Sequence, residues 1–557
     1  GDVLLLAHDA PGRCYRIGTR SKQPDDERSP AQMSEAKSSH TRFAAVFAGG
    51  TMFSRVLGLV RDVVWVVIPL ASREAFIIAF RFPNMLRDLV GEGATNAAFV
   101  PVLAETLEHD GDAGFRELTS ALLSAMLVLL LVLTGVGLLA LPFILEGGLS
   151  LLSPITGESA KPPDQVALLT ALTLWTFPYI FFIGMTVFLM APLFVKGHYG
   201  TPSWAPALLN VAFIVACLFF RDSFSDPAYA LVLGVWLGGI AQLAVQYIAL
   251  GRVTGVWLPN FKLRHPGVRT AFVLLVPVAI GQSAGEVNKL VDLMFAASLP
   301  EGSVNALFYA NRLVQLPLAV FGVATAVAIL PGISRSAARG DHAEFRATLV
   351  AGFRQSCFLV TPAMFGVLAL AAPITRLLFE YRENTPVETE RTAVAIMYSG
   401  AGLLSFAWVK VAVQGFYAFK DTRTPVAAAA TSMLLNIVLN FALVGPLGFR
   451  GLALSTTIAY TVNFFVLYAF LARRHGALVT GELVSVLARI AAASIAMALA
   501  ARWIHDLLAY VFGTDTLTAR SLAVLPAIMV AAVVYCALAR ALRLEDLHEF
   551  LRVLKRR

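Results

Sequence analysis

From Leu118 to Ile144 the chain carries no charged residue, and from Ala228 to Leu250 it again carries none. Runs of this kind decide the solvent. An α-helix rises about 1.5 Å per residue, so roughly 20 apolar residues cross about 30 Å of hydrocarbon. Over 557 residues, 57% are hydrophobic and 14% charged, where a soluble domain carries about 25% charged residues. Folded in water, such a chain would expose far too much apolar surface. The bilayer is therefore its main solvent, and the fold class is all-α, a polytopic membrane protein.

About fourteen segments reach spanning length: 43–69, 74–104, 116–146, 165–195, 203–221, 227–251, 268–299, 303–334, 345–380, 391–418, 424–444, 449–473, 484–510 and 518–543. Residues 1–40 are polar, rich in Ser, Pro and charge, and read as a disordered N-terminal extension. Met33, opening MSEAKSSHTRF, would serve as an ordinary translation start. The expected division is an N-lobe at 41–251 (spans one to six), a C-lobe at 252–475 (spans seven to twelve), two further spans in 476–545 and a basic tail at 546–557.

The net charge of +8 sits in short loops between apolar runs, which suits anionic lipid rather than nucleic acid. With the N-terminus taken as cytoplasmic, inside loops hold Lys196, the group Arg252 to Arg269, the group Arg335 to Arg346, Lys420 with Arg423, and Arg473 with Arg474. Outside loops are sparser, with Arg73, Lys161, Arg221, Arg382 and Arg450. Both termini are therefore expected inside. The four cysteines are far apart and show no metal spacing.

The chain also repeats itself. At an offset of about 230 residues Asp62 aligns with Asp292, Ala94 with Ala324, Thr95 with Thr325 and Pro101 with Pro331. TPSWAPALLNV from Thr201 is echoed by TPVAAAATSMLLNI from Thr424. Six spans separate equivalent points, so the halves run parallel, and transporters built this way hold their substrate between the halves. The last two spans stand outside the repeat.

Charge inside the spans is the strongest sign of function. Arg55, Arg61 and Asp62 lie in the first span; Arg81, Asn84, Arg87, Asp88 and Glu92 in the second; Asn311 and Arg312 in the eighth. An arginine at the bilayer centre costs about 2.5–3.5 kcal/mol on insertion scales. Several together must face a hydrated cavity, and arginine exceeds carboxylate there. Guanidinium is a planar fork suited to phosphate, whereas an exporter of cationic drugs needs the opposite sign. Pro83, Gly91 and Gly93 are expected to break the second helix beside that cavity.

The strings SRVLGLVRD, FRFPNMLRDLVGEGATNAAFVP, SLPEGSVNALFYANRLVQLPLAVFGVA and GFYAFKDTRTPV resemble the lipid II flippases, the MurJ or MviN family of the multidrug, oligosaccharidyl-lipid and polysaccharide exporter superfamily. The resemblance runs from Phe43 to the C-terminus. It implies two six-helix lobes around a cationic cavity that receives the pyrophosphate and sugar headgroup of lipid II, with the last two helices forming a groove for the polyprenyl tail. Arg55, Arg61, Arg87 and Arg312 match the family's essential arginines, and Ser54 and Asn84 also match family positions.

Three positions depart from the pattern: Glu74 stands where members often carry Asp, Asn311 where some carry an acid, and Gln315 where some carry Glu. Some members bind sodium between helices seven, eleven and twelve; the matching candidates are Glu286, Asn436, Asn440 and Thr456. The resemblance implies a monomeric inner-membrane flippase for a peptidoglycan precursor. No enzyme chemistry, cofactor or nucleic-acid partner is expected beyond that monovalent cation. A flippase for another polyprenyl-linked glycan and a multidrug exporter are the alternatives.

Overall fold

The structure, a computed structural model, describes residues 49–50, 52–90, 96–156, 162–476, 478 and 481–548. The extension 1–40, Gly91, Gly93 and the end of the basic tail lie outside the described residues. Among the described residues every regular element is helical, because a helix satisfies its own backbone where no water can.

The first half comprises α1 (52–64), α2 (Leu70–Val90), α3 (Asn96–Thr156), α4 (Pro163–Thr176), α5 (Tyr179–Val195), α6 (Gly200–Phe220) and α7 (Ala228–Thr254). The second comprises α8 (Pro266–Ala297), α9 (Ser303–Pro317), α10 (Ala324–Arg339), α11 (His342–Ala369), α12 (Ala371–Phe379), α13 (Pro386–Gly400), α14 (Leu403–Ala418), α15 (Arg423–Leu447) and α16 (Phe449–His475). Helices α17 (Gly481–Phe512) and α18 (Leu517–Ala541) follow.

Among the described residues ten helical stretches are long and apolar enough to cross a membrane, or eleven when α11 and α12, bent by 72°, count as one. The expected count was fourteen. Segments α1, α2 and α8 fall short, for physical reasons. Helix α1 is described over a short stretch, α2 carries Arg73, Glu74, Arg81 and Arg87, and α8 is apolar only over Pro266–Ala279, before Glu286, Lys289 and Asp292.

The expected break at Pro83 is absent, and α2 runs through it. A break instead falls at Gly111 of α3, whose φ of 66° suits glycine. A π-helical turn, Leu318–Val323, follows Pro317.

Lipid does not drive helices together as water does, so close contact must. Helices α6 and α7 pair tightly because Gly238 has no side chain: a methyl there would lie 2.9 Å from the Leu209 Cα. Phe213 of α6 is the hub of an aromatic core, meeting Trp65 at 5.1 Å, Phe80 at 5.6 Å and Phe76 at 5.9 Å, all near edge-on. Helix α8 packs on α2 and α3 as well as on α15. It therefore belongs by packing to both halves. Helices α17 and α18 pair with each other, α17 lying along α11 and α18 against α12.

Candidate functional site

Asp62, at 1% exposure, is where the two halves meet. Arg61 donates to Oδ1 through Nε at 3.0 Å and Nη2 at 2.6 Å, and through Nη1 to Oδ1 of Asn210 at 3.0 Å. Its guanidinium lies 4.7 Å from the centre of the Trp65 ring. From the other half, Arg312 places Nε 3.0 Å from Asp62 Oδ2. Tyr309, one turn earlier on α9, donates to the Asp62 carbonyl at 3.2 Å and stacks on Phe379 at 4.1 Å. One carboxylate thus faces two guanidiniums. The Arg61 side chain is buried, while that of Arg312 keeps 41% exposure.

The same imbalance recurs along α2. Glu286 of α8 accepts from Arg81 at 2.5 Å and from Lys289 at 2.5 Å. Lys410 of α14 is exposed and within electrostatic reach of Lys289. Among the described residues each of these two acids is outnumbered by cations. A carboxylate shared by two cations leaves charge that a third anion can claim.

At the end of the bundle where α1 turns into α2, Arg73 is fully buried and crosses between the halves. It donates from Nε to Oδ1 of Asn305 and from Nη2 to Oδ1 of Asn384, each at 3.0 Å. Its neighbour Glu74 accepts from the Asn305 backbone N–H at 2.7 Å, inside the first turn of α9. This end is closed by a polar net that ties α2 to α9 and to the segment carrying Asn384.

A fourth cluster joins α8, α15 and α16. Asp292 accepts from Asn440 at 2.5 Å and from Asn288 at 3.4 Å. Asn436, with its amide turned to satisfy its neighbours, donates to Asp292 Oδ1 at 2.8 Å and to Asn288 Oδ1 at 3.0 Å, and accepts from the Thr456 backbone N–H at 3.1 Å. Three of the four candidate cation ligands therefore stand together. Glu286 does not; it is held by Arg81 and Lys289, and Asp292 is the carboxylate of this cluster. The oxygen donors suit a hard monovalent cation, and the buried Oδ1 of Asn440 has no hydrogen-bond partner.

Of the candidate headgroup residues, Arg61 and Arg312 converge on Asp62. Ser54 is tied to them through Asn210, whose Nδ2 donates to the Ser54 carbonyl at 3.0 Å. Arg55 is exposed one turn from Gly58, and Asn84 and Arg87 are half-buried on α2, with Arg87 engaged in contacts of its own. The Asp88 side chain and Glu92 lie outside the described residues. Gln315 donates to Asn311 at 3.0 Å, and the acid serving Arg312 comes from the other half. Sequence reasoning places Arg73 among the loop charges and passes over Lys289 and Lys410, although the cost of charge within a span flags the two lysines.

Helix order and this interface define a polytopic membrane protein with the fold of the exporter superfamily. A solved inward-facing multidrug resistance MATE family transporter of the MOP superfamily matches with a TM-score of 0.63, over 78% of this chain and 98% of that one, at 16% identity. A solved lipid II flippase MurJ in an inward closed conformation matches at 0.72, over 89% and 99%, at 23% identity. Sequence goes further than fold. The profile of the family described as lipid II flippase MurJ matches residues 71–522. The probable lipid II flippase MurJ of Vibrio cholerae serotype O1 is 35% identical over 466 residues, 82% of this chain and 88% of that protein. The lipid II flippase MurJ of Burkholderia cenocepacia is 33% identical over 433 residues, 77% and 83%. The chain belongs to the lipid II flippase MurJ family.

Proposed function

We propose that this protein carries lipid II, an undecaprenyl-pyrophosphate-linked peptidoglycan precursor, from the inner to the outer leaflet of the bacterial inner membrane. It works as a monomer, with both termini cytoplasmic and without covalent chemistry. The observation that carries this reading is the shared carboxylate: Arg61 and Arg312, from opposite halves, both depend on Asp62. A diphosphate offers more oxygen and more charge than one carboxylate does, in the geometry a guanidinium fork prefers. The headgroup enters between the lobes from the end opposite the Arg73 net. Arg55, Arg87, Ser54 and Asn84 add to its binding.

Capture draws Arg312 from Asp62 and loosens the joint between the halves. The net of Arg73, Glu74, Asn305 and Asn384 then parts, and the headgroup leaves on the far side while its tail stays in lipid beside α17 and α18. Transport of this kind needs a ligand that binds the two states unequally, and a headgroup competing for the joint itself does so.

The same reading places a monovalent cation among Asp292, Asn436, Asn440 and Thr456. Repeat symmetry supports it. At the offset of 230 that joins Asp62 to Asp292, Arg61 corresponds to Val291. The guanidinium that lies between Asp62 and Asn210 in the first half therefore has no side-chain counterpart in the second. When bound, the cation supplies that missing charge.

The test is Arg55→Ala and Arg312→Ala in stably expressed protein, scored by the access of an external reagent to lipid II on the outer leaflet. Sharply reduced access is expected; normal access in both variants overturns the reading.

A further inference from the structure

The corner between α15 and α16 has a construction that headgroup passage does not use. A cavity of about 220 Å³ opens there, between the α8–α9 turn, α13 and the stretch from Val444 to Arg450. The ionisable residues of its lining are Arg391 and Arg450, both basic. Arg391 is tethered by Nη1 to the Glu301 carbonyl, which fixes the guanidinium without neutralising it. Arg450 lies 5.9 Å from the centre of the Phe449 ring. Among the described residues neither has a carboxylate at ion-pair distance.

The corner lies at a membrane boundary, because one span ends at Leu447, the next begins at Phe449, and the spans starting at Ser303 and Pro386 border the same cavity. An apolar path leads up to it. On α15, Leu434, Val438 and Phe441 are 61%, 63% and 47% exposed, and steps of four and three residues put them on one face. Gly445 continues that row into the cavity, and Gly448, just past the helix end, lines it too. A methyl on Gly448 would meet nothing within 4 Å, and one on Gly445 would meet only the Ile155 carbonyl at 4.0 Å. An exposed apolar strip thus ends on an open floor beside two unneutralised guanidiniums.

We propose that this corner binds the headgroup phosphate of an anionic phospholipid, with an acyl chain lying along Leu434, Val438 and Phe441. Guanidinium takes phosphate through paired N–H donors. Two arginines repel the ammonium of a zwitterionic headgroup, so an anionic lipid is preferred. The apolar strip selects a lipid over free phosphate, which shares the headgroup chemistry alone. That the lipid belongs to the outer leaflet rests on the orientation proposed above; the site itself does not.

Native mass spectrometry of the purified full chain, titrated with phosphatidylglycerol and with phosphatidylethanolamine, is the test. The wild-type chain holds phosphatidylglycerol more tightly. The Arg391→Gln, Arg450→Gln double variant weakens it by about thirtyfold and weakens phosphatidylethanolamine less, so that the preference narrows, each arginine at a membrane surface being worth about fivefold. Arg450→Gln alone, which breaks no hydrogen bond among the described residues, weakens it by about fivefold. Gly445→Leu fills the floor and weakens it with no change of charge. Excess inorganic phosphate leaves the lipid bound. Unchanged phosphatidylglycerol affinity in Arg450→Gln and Gly445→Leu overturns the proposal, as does displacement by phosphate, which would make this a site for free anions. Every readout is binding at this corner, so a failure of lipid II flipping does not enter it.

Discussion

Asp62 and Asp292 stand 230 residues apart, at the offset of the sequence repeat, yet among the described residues only Asp62 is answered by side-chain cations. Arg61 and Arg312 close on it, whereas Asp292 meets the amides of Asn440 and Asn288. If a monovalent cation supplies the missing charge, sodium chloride raises the thermal unfolding midpoint of the purified protein above that in choline chloride, since a ligand that binds only the folded state stabilises it. Asp292→Asn abolishes the difference. Val291→Arg, which places a guanidinium where the first half has one, diminishes it. A sodium response that survives Asp292→Asn removes Asp292 from the site.

The partners of Asp62 separate stability from transport. Asp62→Ala leaves Arg61 buried without its acid, a loss of about 3–5 kcal/mol for a broken buried pair. Removing Arg61 as well restores part of it, because the orphaned charge is gone. Arg312→Ala behaves differently. Its side chain keeps 41% exposure, so unfolding in detergent shifts little while flipping is lost. Equal destabilisation by Asp62→Ala and Arg312→Ala contradicts this division of roles.

How much of this was legible in the sequence depends on what each signal measures. Apolar length gave the helical class, and the cost of charge in lipid pointed to Arg61 and Arg312. Neither signal reports which neighbour a helix face meets. Glu286 and Asp292 are six residues apart on α8, which turns them about 120° from each other. Glu286 therefore meets Arg81 on α2 and Asp292 meets Asn440 on α15. Choosing Glu286 for the cation needed the packing of α8 between α2 and α15, which no periodicity contains. Arg73 was counted as a loop charge because it falls at the edge of a hydrophobic run, yet α2 begins at Leu70 and the residue is fully buried. Its partners, Asn305 and Asn384, lie more than two hundred residues away.

That net yields its own prediction. Arg73 spans two acceptors on separate segments, which a guanidinium can do and a single ammonium point charge does less well. Arg73→Ala strands the Asn305 oxygen, at about 1–3 kcal/mol for an unpaired buried group, leaves that of Asn384 with only the 3.4 Å bond from Asn305, and frees the halves to part at this end. A cysteine placed at Val67, in a chain stripped of its own cysteines, is then modified by a maleimide reagent several-fold faster than with Arg73 present. Arg73→Lys falls between the two. Equal labelling rates in all three would mean that the net does not hold this end shut.

The loop between α14 and α15 sets the response to acid. Asp421 accepts from the Thr424 backbone N–H at 3.0 Å, from its hydroxyl at 2.7 Å and from Arg474 at 2.6 Å. These bonds, those from Thr424 foremost, hold its carboxyl down to about 2, where an unfolded aspartate titrates near about 3.9. A folded value below the unfolded one means the unfolded state takes up protons first as pH falls. The stabilisation from Asp421 is therefore whole above about pH 4 and drains away as pH drops toward 2. Asp421→Asn should lower the unfolding midpoint at neutral pH, and its gap to the wild type should narrow steadily across that acid window. Arg474, in the last turn of α16, ties this loop to the helix that carries Thr456, so Arg474→Gln should reproduce part of the neutral-pH loss. A gap of constant size from neutral to acid pH would show that the aspartate shapes the turn without its charge contributing.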